Sequence, residues 1–309
     1  MKIRDFEPSA AEGAAELFRA LQPGLLTTAA YLLHRESALP ARARRIALVA
    51  VDDGAVIGWG SANRSWPGGP IDQARVWVGV LPRLRGRGIG EELYARVEGH
   101  AVAAGARTLS TVVEDDPAGL RFAEARGFRQ LSTEMLATLD PRTADLGGLD
   151  EVANRHEASG LKVVPLTELP GRERSLFELW VEAGAFPPVD QENPVTFEEW
   201  RRTSFENPLL EPRGSFTILD GSGRPLALSW LLVDDERGLA ENEWTATVPR
   251  LRGRGLARWA KLSAIRWAAE HGIREILTAN DVDNLPMLTL NEHLGYRRRG
   301  VRRHLERVV

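Results

Sequence analysis

Apolar residues spaced three and four apart alternate along this chain with short runs that read as strands. Leu93, Val97 and Ala101 carry the helical spacing from Ile89 to Gly105, and Trp259, Leu262 and Trp267 carry it from Leu256 to Gly272. Glycine just past the last apolar position is a helix stop. Each helix follows a strand, Arg75–Val80 in the first case and Glu243–Val248 in the second. A further strand comes next, Ala106–Val113 or Ile273–Asn280, and then a short helix closing on Gly127-Phe128 or Gly295-Tyr296. Upstream, Val49–Gly54 and Ala55–Trp59 predict a hairpin about Asp53-Gly54, with Phe216–Gly221 and Leu226–Trp230 as its counterpart.

The parallel is an internal repeat. Residues 82–88 and 249–255 both read PRLRGRG. Each half predicts strand, helices, hairpin, strand, helix, strand, helix, strand, so an α/β (α+β layered) architecture is used twice. The join falls near Asp140-Pro141. The expected domains are 1–142 and 161–309, with 143–160 as a connecting segment of helical pattern. Leu161-Lys162-Val163-Val164-Pro165 restarts the pattern of Lys2-Ile3-Arg4.

Composition narrows the chemistry. The 309 residues are 43% hydrophobic and 27% charged, enough apolar material for two cores. A net charge of -3 disfavours a broad grip on nucleic acid, because no bulk positive field drives counterion release. Cysteine is absent, which removes disulfides, a Cys nucleophile and thiolate zinc sites. The six histidines make no H-E-x-x-H or H-x-x-x-H pair, so no metal is expected. No apolar run approaches a membrane helix, and the start MKIRDFEPSA has no signal core. The expectation is a cytoplasmic protein with neither membrane nor nucleic-acid partner.

The repeated turn carries the chemistry. Between strand and helix the chain reads Arg85-Gly86-Arg87-Gly88-Ile89-Gly90, and again Arg252-Gly253-Arg254-Gly255-Leu256-Ala257. The first amides of a helix have no intrahelical partner, glycine clears the approach, and the helix dipole favours an anion. Arginine adds charge-assisted hydrogen bonds of roughly 1.5–3 kcal/mol each. The dinucleotide pattern G-x-G-x-x-G fails at Glu91 and Arg258, and neither copy has the Gly-Lys-Ser/Thr of a P-loop. A solvated helix-start turn is the plain alternative for either copy alone.

Strand, Val-x-Pro-x-x-Arg-x-x-Gly-x-Gly/Ala, then helix resembles the acyl-CoA-binding motif of the GNAT acetyltransferase superfamily. Val80 and Leu81 open it in the first half, and Thr247 and Val248 in the second. A second signature places Asn eleven residues before a Gly-aromatic pair; Asn284 matches, and Asp116 departs from it. The resemblance covers nearly the whole chain as two tandem copies. It implies two GNAT-like domains, each a mixed, partly splayed sheet flanked by helices. It also implies acetyl-CoA as co-substrate, held by residues 80, 81, 85–90, 247, 248, 252–257 and Asn284, with direct attack by an amine.

An alkylammonium near pKa 10.4 costs about 4 kcal/mol to deprotonate at pH 7, so a base helps. The family often has a Glu on the strand before the turn. Counted by alternation, Glu241 and Glu243 share a face with Thr245 and Thr247, and the first half has no equivalent carboxylate. Exposed strand-edge charge is the plain alternative for both. The family's Tyr acid is replaced by Ala123 and Asn291. The expectation is therefore a catalytic second half and a first half that binds acyl-CoA without turnover or supports the fold. Asp190, Glu192, Glu198, Glu199 and Glu206, interleaved with Phe186, Phe197, Trp200 and Phe205, suit a small cationic amine, with a solvated acidic face over an ordinary core as the plain alternative. The rival reading is a non-catalytic acyl-CoA-binding or regulatory module.

Overall fold

A computed structural model describes residues 1–64, 69–184 and 193–309. In chain order the first half runs β1 (Lys2–Asp5), α1 (Ala11–Leu21), α2 (Ala29–Ala38), β2 (Ile46–Asp52), β3 (Ala55–Arg64), β4 (Gln73–Val80), α3 (Ile89–Ala103), β5 (Thr108–Glu114), α4 (Pro117–Glu124) and β6 (Arg129–Leu139). The second half runs α5 (Leu149–Glu157), β7 (Lys162–Pro165), α6 (Glu173–Glu182), α7 (Phe197–Trp200), β8 (Phe216–Leu219), β9 (Pro225–Asp234), β10 (Leu239–Thr247), α8 (Leu256–Glu270), β11 (Glu275–Asp281), α9 (Leu285–His293) and β12 (Arg297–Val308). Asp53 and Gly54 both have positive φ, 45° and 81°, as the hairpin turn between β2 and β3 demands.

The chain divides into two compact units that are not its two halves. Unit 1 comprises Met1–Thr133, Val189–Thr203 and Val301–Val309, and unit 2 comprises Glu134–Pro188 and Ser204–Gly300. The exchange is reciprocal. In unit 1, β12 from the chain's end pairs antiparallel with β5, from Arg302↔Glu114 to Val308↔Thr108. In unit 2, β6 pairs antiparallel with β11, from Ile276↔Leu139 to Asp281↔Glu134. Unit 1 thus has strand order β1-β2-β3-β4-β5-β12, and unit 2 has β6-β11-β10-β9-β8-β7.

Each sheet is mixed, with one parallel contact at its middle. In unit 1, β4 and β5 register only from Gln73↔Thr108 to Arg75↔Ser110, although both strands continue. In unit 2, β10 and β11 register only from Leu239↔Glu275 to Glu241↔Leu277. Past three pairs the strands part, and backbone groups there are left to find other partners.

Two apolar clusters flank the unit 1 sheet. Leu93, Tyr94 and Val97 of α3 pack with Val76, Leu109 and Leu305 on one face. Leu17 and Phe18 of α1 pack with Val49 and Trp59 on the other. Leu305 is 1% exposed, so the last strand is part of the first unit's core. Leu305→Ala should lower stability by about 2–5 kcal/mol, the usual cost of a buried Leu truncation. Urea denaturation followed by Trp fluorescence measures it, and a change below about 0.5 kcal/mol would mean that β12 is not core.

Candidate active site

The gap between β4 and β5 opens into a cavity of about 490 Å³ within unit 1. Its mouth is the first Arg/Gly turn. Gly86 and Gly88 take φ of 75° and 82°, and Gly88 is the left-handed N-cap of α3. A side chain at either glycine would meet no atom within 4 Å, so the approach to the α3 amides is open. The N-terminus of a 15-residue helix facing an apolar slot fits an anion that carries a long thin tail. A pyrophosphate with a pantetheine arm has that form.

Of the first-copy residues expected to hold acyl-CoA, Val80, Arg85, Gly86, Gly88, Ile89 and Gly90 line the cavity. Leu81 packs against the core instead, and Arg87 is exposed. Arg85 is committed locally. Its Nε donates to the Val80 carbonyl at 3.2 Å and its guanidinium pairs with Asp116 at 3.0 Å. Asp116 in turn caps α4 by accepting from the Ala118 amide at 3.1 Å. The motif arginine therefore ties the strand end to the next helix. Tyr94 is a lining residue that the motif spacing does not reveal, since it lies within α3 and outside the signature positions. Burial raises its phenol pKa.

The second turn repeats this backbone and changes its surroundings. Gly255 is again a left-handed N-cap, at φ 84°, and Arg252 again donates to the strand end, to the Thr247 carbonyl at 3.4 Å. Arg252 also donates to the Ala183 carbonyl at 2.6 Å. A Cβ at Gly255 would lie 3.7 Å from His156 Nε2 and 3.8 Å from Val152, both on α5. His156 stacks on Trp259 with centroids 5.5 Å apart, and burial lowers the imidazole's pKa. Trp259 is fully buried, whereas Glu92, its counterpart in the repeat, is exposed. Val248 and Leu256 are buried, Ala257 is half-buried, and Gly253 and Arg254 are exposed. Asn284 caps α9, accepting from the Met287 amide at 3.4 Å.

The counterpart of Tyr94 in unit 2 is Lys261, 1% exposed. Its ammonium donates to Asn242 Oδ1 and sits 5.0 Å from the Tyr296 ring centroid. Asn242 also accepts from Thr245 Oγ1 at 2.9 Å and donates to Ser229 Oγ at 2.8 Å. A β-bulge between Asn242 and Trp244 corrects the alternation expected for β10. It places Asn242, not Glu241, on the face of Thr245 and Thr247. Glu241 is half-buried in register with Leu232 and Leu277, and Glu243 is the exposed extra residue of the bulge. A bulge leaves no trace in residue spacing, which is why simple alternation missed it.

The acidic lead also changes. Glu199 is claimed by Arg42, which donates from Nε at 2.7 Å and from NH2 at 2.6 Å. Burial opposes its ionisation, but Arg42 and the Thr196 capping box hold its carboxyl below the ordinary range. Phe197 and Trp200 stack on each other, and Phe205 contacts Trp230. Glu198 pairs with Arg201 at 3.2 Å. Phe186, Asp190 and Glu192 lie outside the described residues. Among the described residues no group of three or more His, Asp or Glu converges as a metal site, and no helix is long and apolar enough to cross a membrane.

The sequence model of the Acetyltransferase (GNAT) family matches residues 12–128 and again residues 175–296. The chain belongs to the GNAT acetyltransferase family. It is an N-acetyltransferase whose family uses acetyl-CoA as co-substrate. Mycothiol acetyltransferase of Thermobifida fusca is 28% identical over 263 residues, covering 81% of this chain and 79% of that one. The Rhodococcus opacus protein of the same name is 28% identical over 257 residues, with the same coverage. A tandem GNAT protein from the clavulanic acid biosynthesis pathway superposes with a TM-score of 0.74 at 19% identity, over 99% of this chain and 98% of its own. An N-acetyltransferase from Sphaerobacter thermophilus gives 0.68 at 19% identity, over 99% and 95%. These structures share the fold of this acetyltransferase.

Burial pulls the Lys261 pKa down to about 7. An unfolded lysine holds its proton to about pH 10.4, so the unfolded chain binds more protons between these values. Stability at this residue therefore rises with pH from about 7 to 10, and the full penalty applies below about 7. Lys261→Met should flatten that rise in the urea midpoint. Parallel pH curves for the two proteins would show that the ammonium is not buried.

Proposed function

We propose that this GNAT protein acetylates the amine of a small molecule by direct attack on acetyl-CoA, and that acetyl-CoA occupies the cleft of unit 1. One observation carries the reading: the open cavity between β4 and β5 begins at the α3 N-terminus, where the pyrophosphate would sit. The pantetheine would run along Val78 and Val80, where β4 has lost its partner strand. In unit 2 the helix position equivalent to Tyr94 holds Lys261, hydrogen-bonded to Asn242 and 5.0 Å from the Tyr296 ring centroid. This reading differs from the expected division of labour: the first half binds the donor, and the second supports it.

A preformed slot of this kind contributes by holding donor and acceptor in line, and by excluding water from the thioester. Ala123 lines the cavity where the family's Tyr would stand, so the departing sulfur takes its proton from another donor or from water. The shelf formed by Trp77 and Leu21 exists because residue 79 is glycine; a Cβ there would lie 2.5 Å from Trp77 and 2.6 Å from Leu21. The relatives' name makes a mycothiol-type amine the first acceptor to try. In the alternative, the second half also turns over, with Glu241 or Glu243 as base. The repeated turn favours it, as do the buried Thr247 Oγ1 and Asn291 Oδ1, which have no hydrogen-bond partner.

Calorimetry separates the two. Gly90→Trp fills the first mouth, since a Cβ at residue 90 points toward Phe122 and Val80 at 3.6–3.7 Å. Ala257→Trp does the same to the second. Acetyl-CoA should bind the wild type at one site per chain, lose affinity by about 100-fold or more in Gly90→Trp, and bind Ala257→Trp normally. Loss in Ala257→Trp with retention in Gly90→Trp would return the chemistry to unit 2.

A further inference from the structure

The cavity of unit 1 has a second face that the donor contacts leave unassigned. On β5, Leu109 and Val113 pack into the cluster beneath α3, so alternation sends Glu114 to the opposite side of the sheet. On β4 that opposite side carries Trp77, stacked on Phe18 at 5.1 Å and packed beside Leu21. Glu114, Trp77, Leu21 and Gln22 all line the cavity. The cavity thus runs through the sheet, from the turn on one face to an apolar shelf carrying Glu114 on the other.

Glu114 is held from across the sheet. Arg302 of β12 lies opposite it in antiparallel register. Its guanidinium donates to Glu114 Oε1 from Nε at 2.7 Å and from NH2 at 2.5 Å. Both side chains are 21% exposed, so the pair is neither sealed in the core nor free in solvent. Both bonds end on one oxygen, and a carboxylate has about four acceptor positions in all. In unit 2 the corresponding strand pair sets Asp281 against Glu134, two acids. At this place unit 1 sets an acid against a base and unit 2 does not.

We propose that Glu114 is the carboxylate that receives the ammonium group of the acceptor, and that Arg302 is the residue that positions it. The proposal rests on acetyl-CoA occupying unit 1. An ammonium entering along Trp77 and Leu21 meets Glu114 on the shelf. It gives up one proton through Glu114 to water. The freed nitrogen bonds to the thioester carbonyl carbon, the C–S bond breaks, and its electron pair goes to sulfur. The surplus N–H proton passes to the thiolate, leaving an amide, the CoA thiol and one proton in water. The acceptor class is a small primary amine that arrives charged. A neutral nucleophile gains nothing from Glu114.

That difference is the test. Thioester cleavage is followed at saturating acetyl-CoA and pH 6.8, where glucosamine is mostly protonated and serves as the charged amine, and hydroxylamine is mostly neutral and serves as the uncharged nucleophile. Glu114→Gln should raise KM for glucosamine about 10- to 100-fold, the loss of one charged hydrogen bond. Hydroxylamine kinetics and acetyl-CoA affinity should stay within about twofold. Arg302→Gln should give the same split at smaller size, and Arg302→Lys should recover part of it. An equal fall with both nucleophiles, or a glucosamine KM within about twofold of wild type, overturns the proposal. Failure of the wild type to bind acetyl-CoA by calorimetry instead overturns the site reading beneath it.

Discussion

Two parallel strands that pair for three residues and then separate impose the rest of this site. A sheet interior normally satisfies every amide and carbonyl through its neighbours. Where β4 and β5 diverge, those groups face a slot instead, and an extended molecule with alternating donors and acceptors can replace the missing strand. The turn that follows β4 then has to start a helix at the slot's mouth. Gly88 can do so because it takes the left-handed conformation at the N-cap. Slot and helix terminus are one construction: an apolar passage that opens where helix amides have no intrahelical partner.

The duplication sets two different side-chain companies on one backbone plan. Both units have the three-residue pairing, the Arg-to-carbonyl tie and the left-handed glycine. What differs is side-chain company. Tyr94 in one α-helix is Lys261 in the other, and Phe128 is Tyr296. A buried ammonium must be paired or solvated by protein dipoles, and Asn242 and the Tyr296 ring supply that service. A bulge in β10 brings Asn242 to the face where it can do so. Helix α5 then covers the apolar flank that Trp259 presents.

The exchange of last strands gives the tandem arrangement a physical purpose. A chain ending at β5 and α4 would leave a long, partly apolar edge in unit 1, and such edges invite unwanted pairing. The terminal strand closes it and brings arginines with it. Arg302 sets Glu114, and Arg307 pairs with Glu98 on α3. The second half thus serves the first half's cavity through a strand that carries both core residues and charge.

Much of the architecture was legible in the residues alone. Apolar spacing, the glycine stops and the repeated PRLRGRG located the helices, strands and glycine turns, because these depend on local periodicity and on which residues tolerate positive φ. The family resemblance followed from the same local pattern. The strand exchange was not legible, since antiparallel pairing between residues 114 and 302 leaves no short-range mark. Nor was the bulge that turned Glu241 away from the face of Thr245 and left Glu243 as the extra residue, because an extra residue in a strand looks like any other. The helix position of Tyr94 in one copy is a buried lysine in the other, and its partners come from contacts that only the folded chain makes. Sequence marked two turns in which a left-handed glycine starts a helix; packing across distant segments decided which side chains lie behind each.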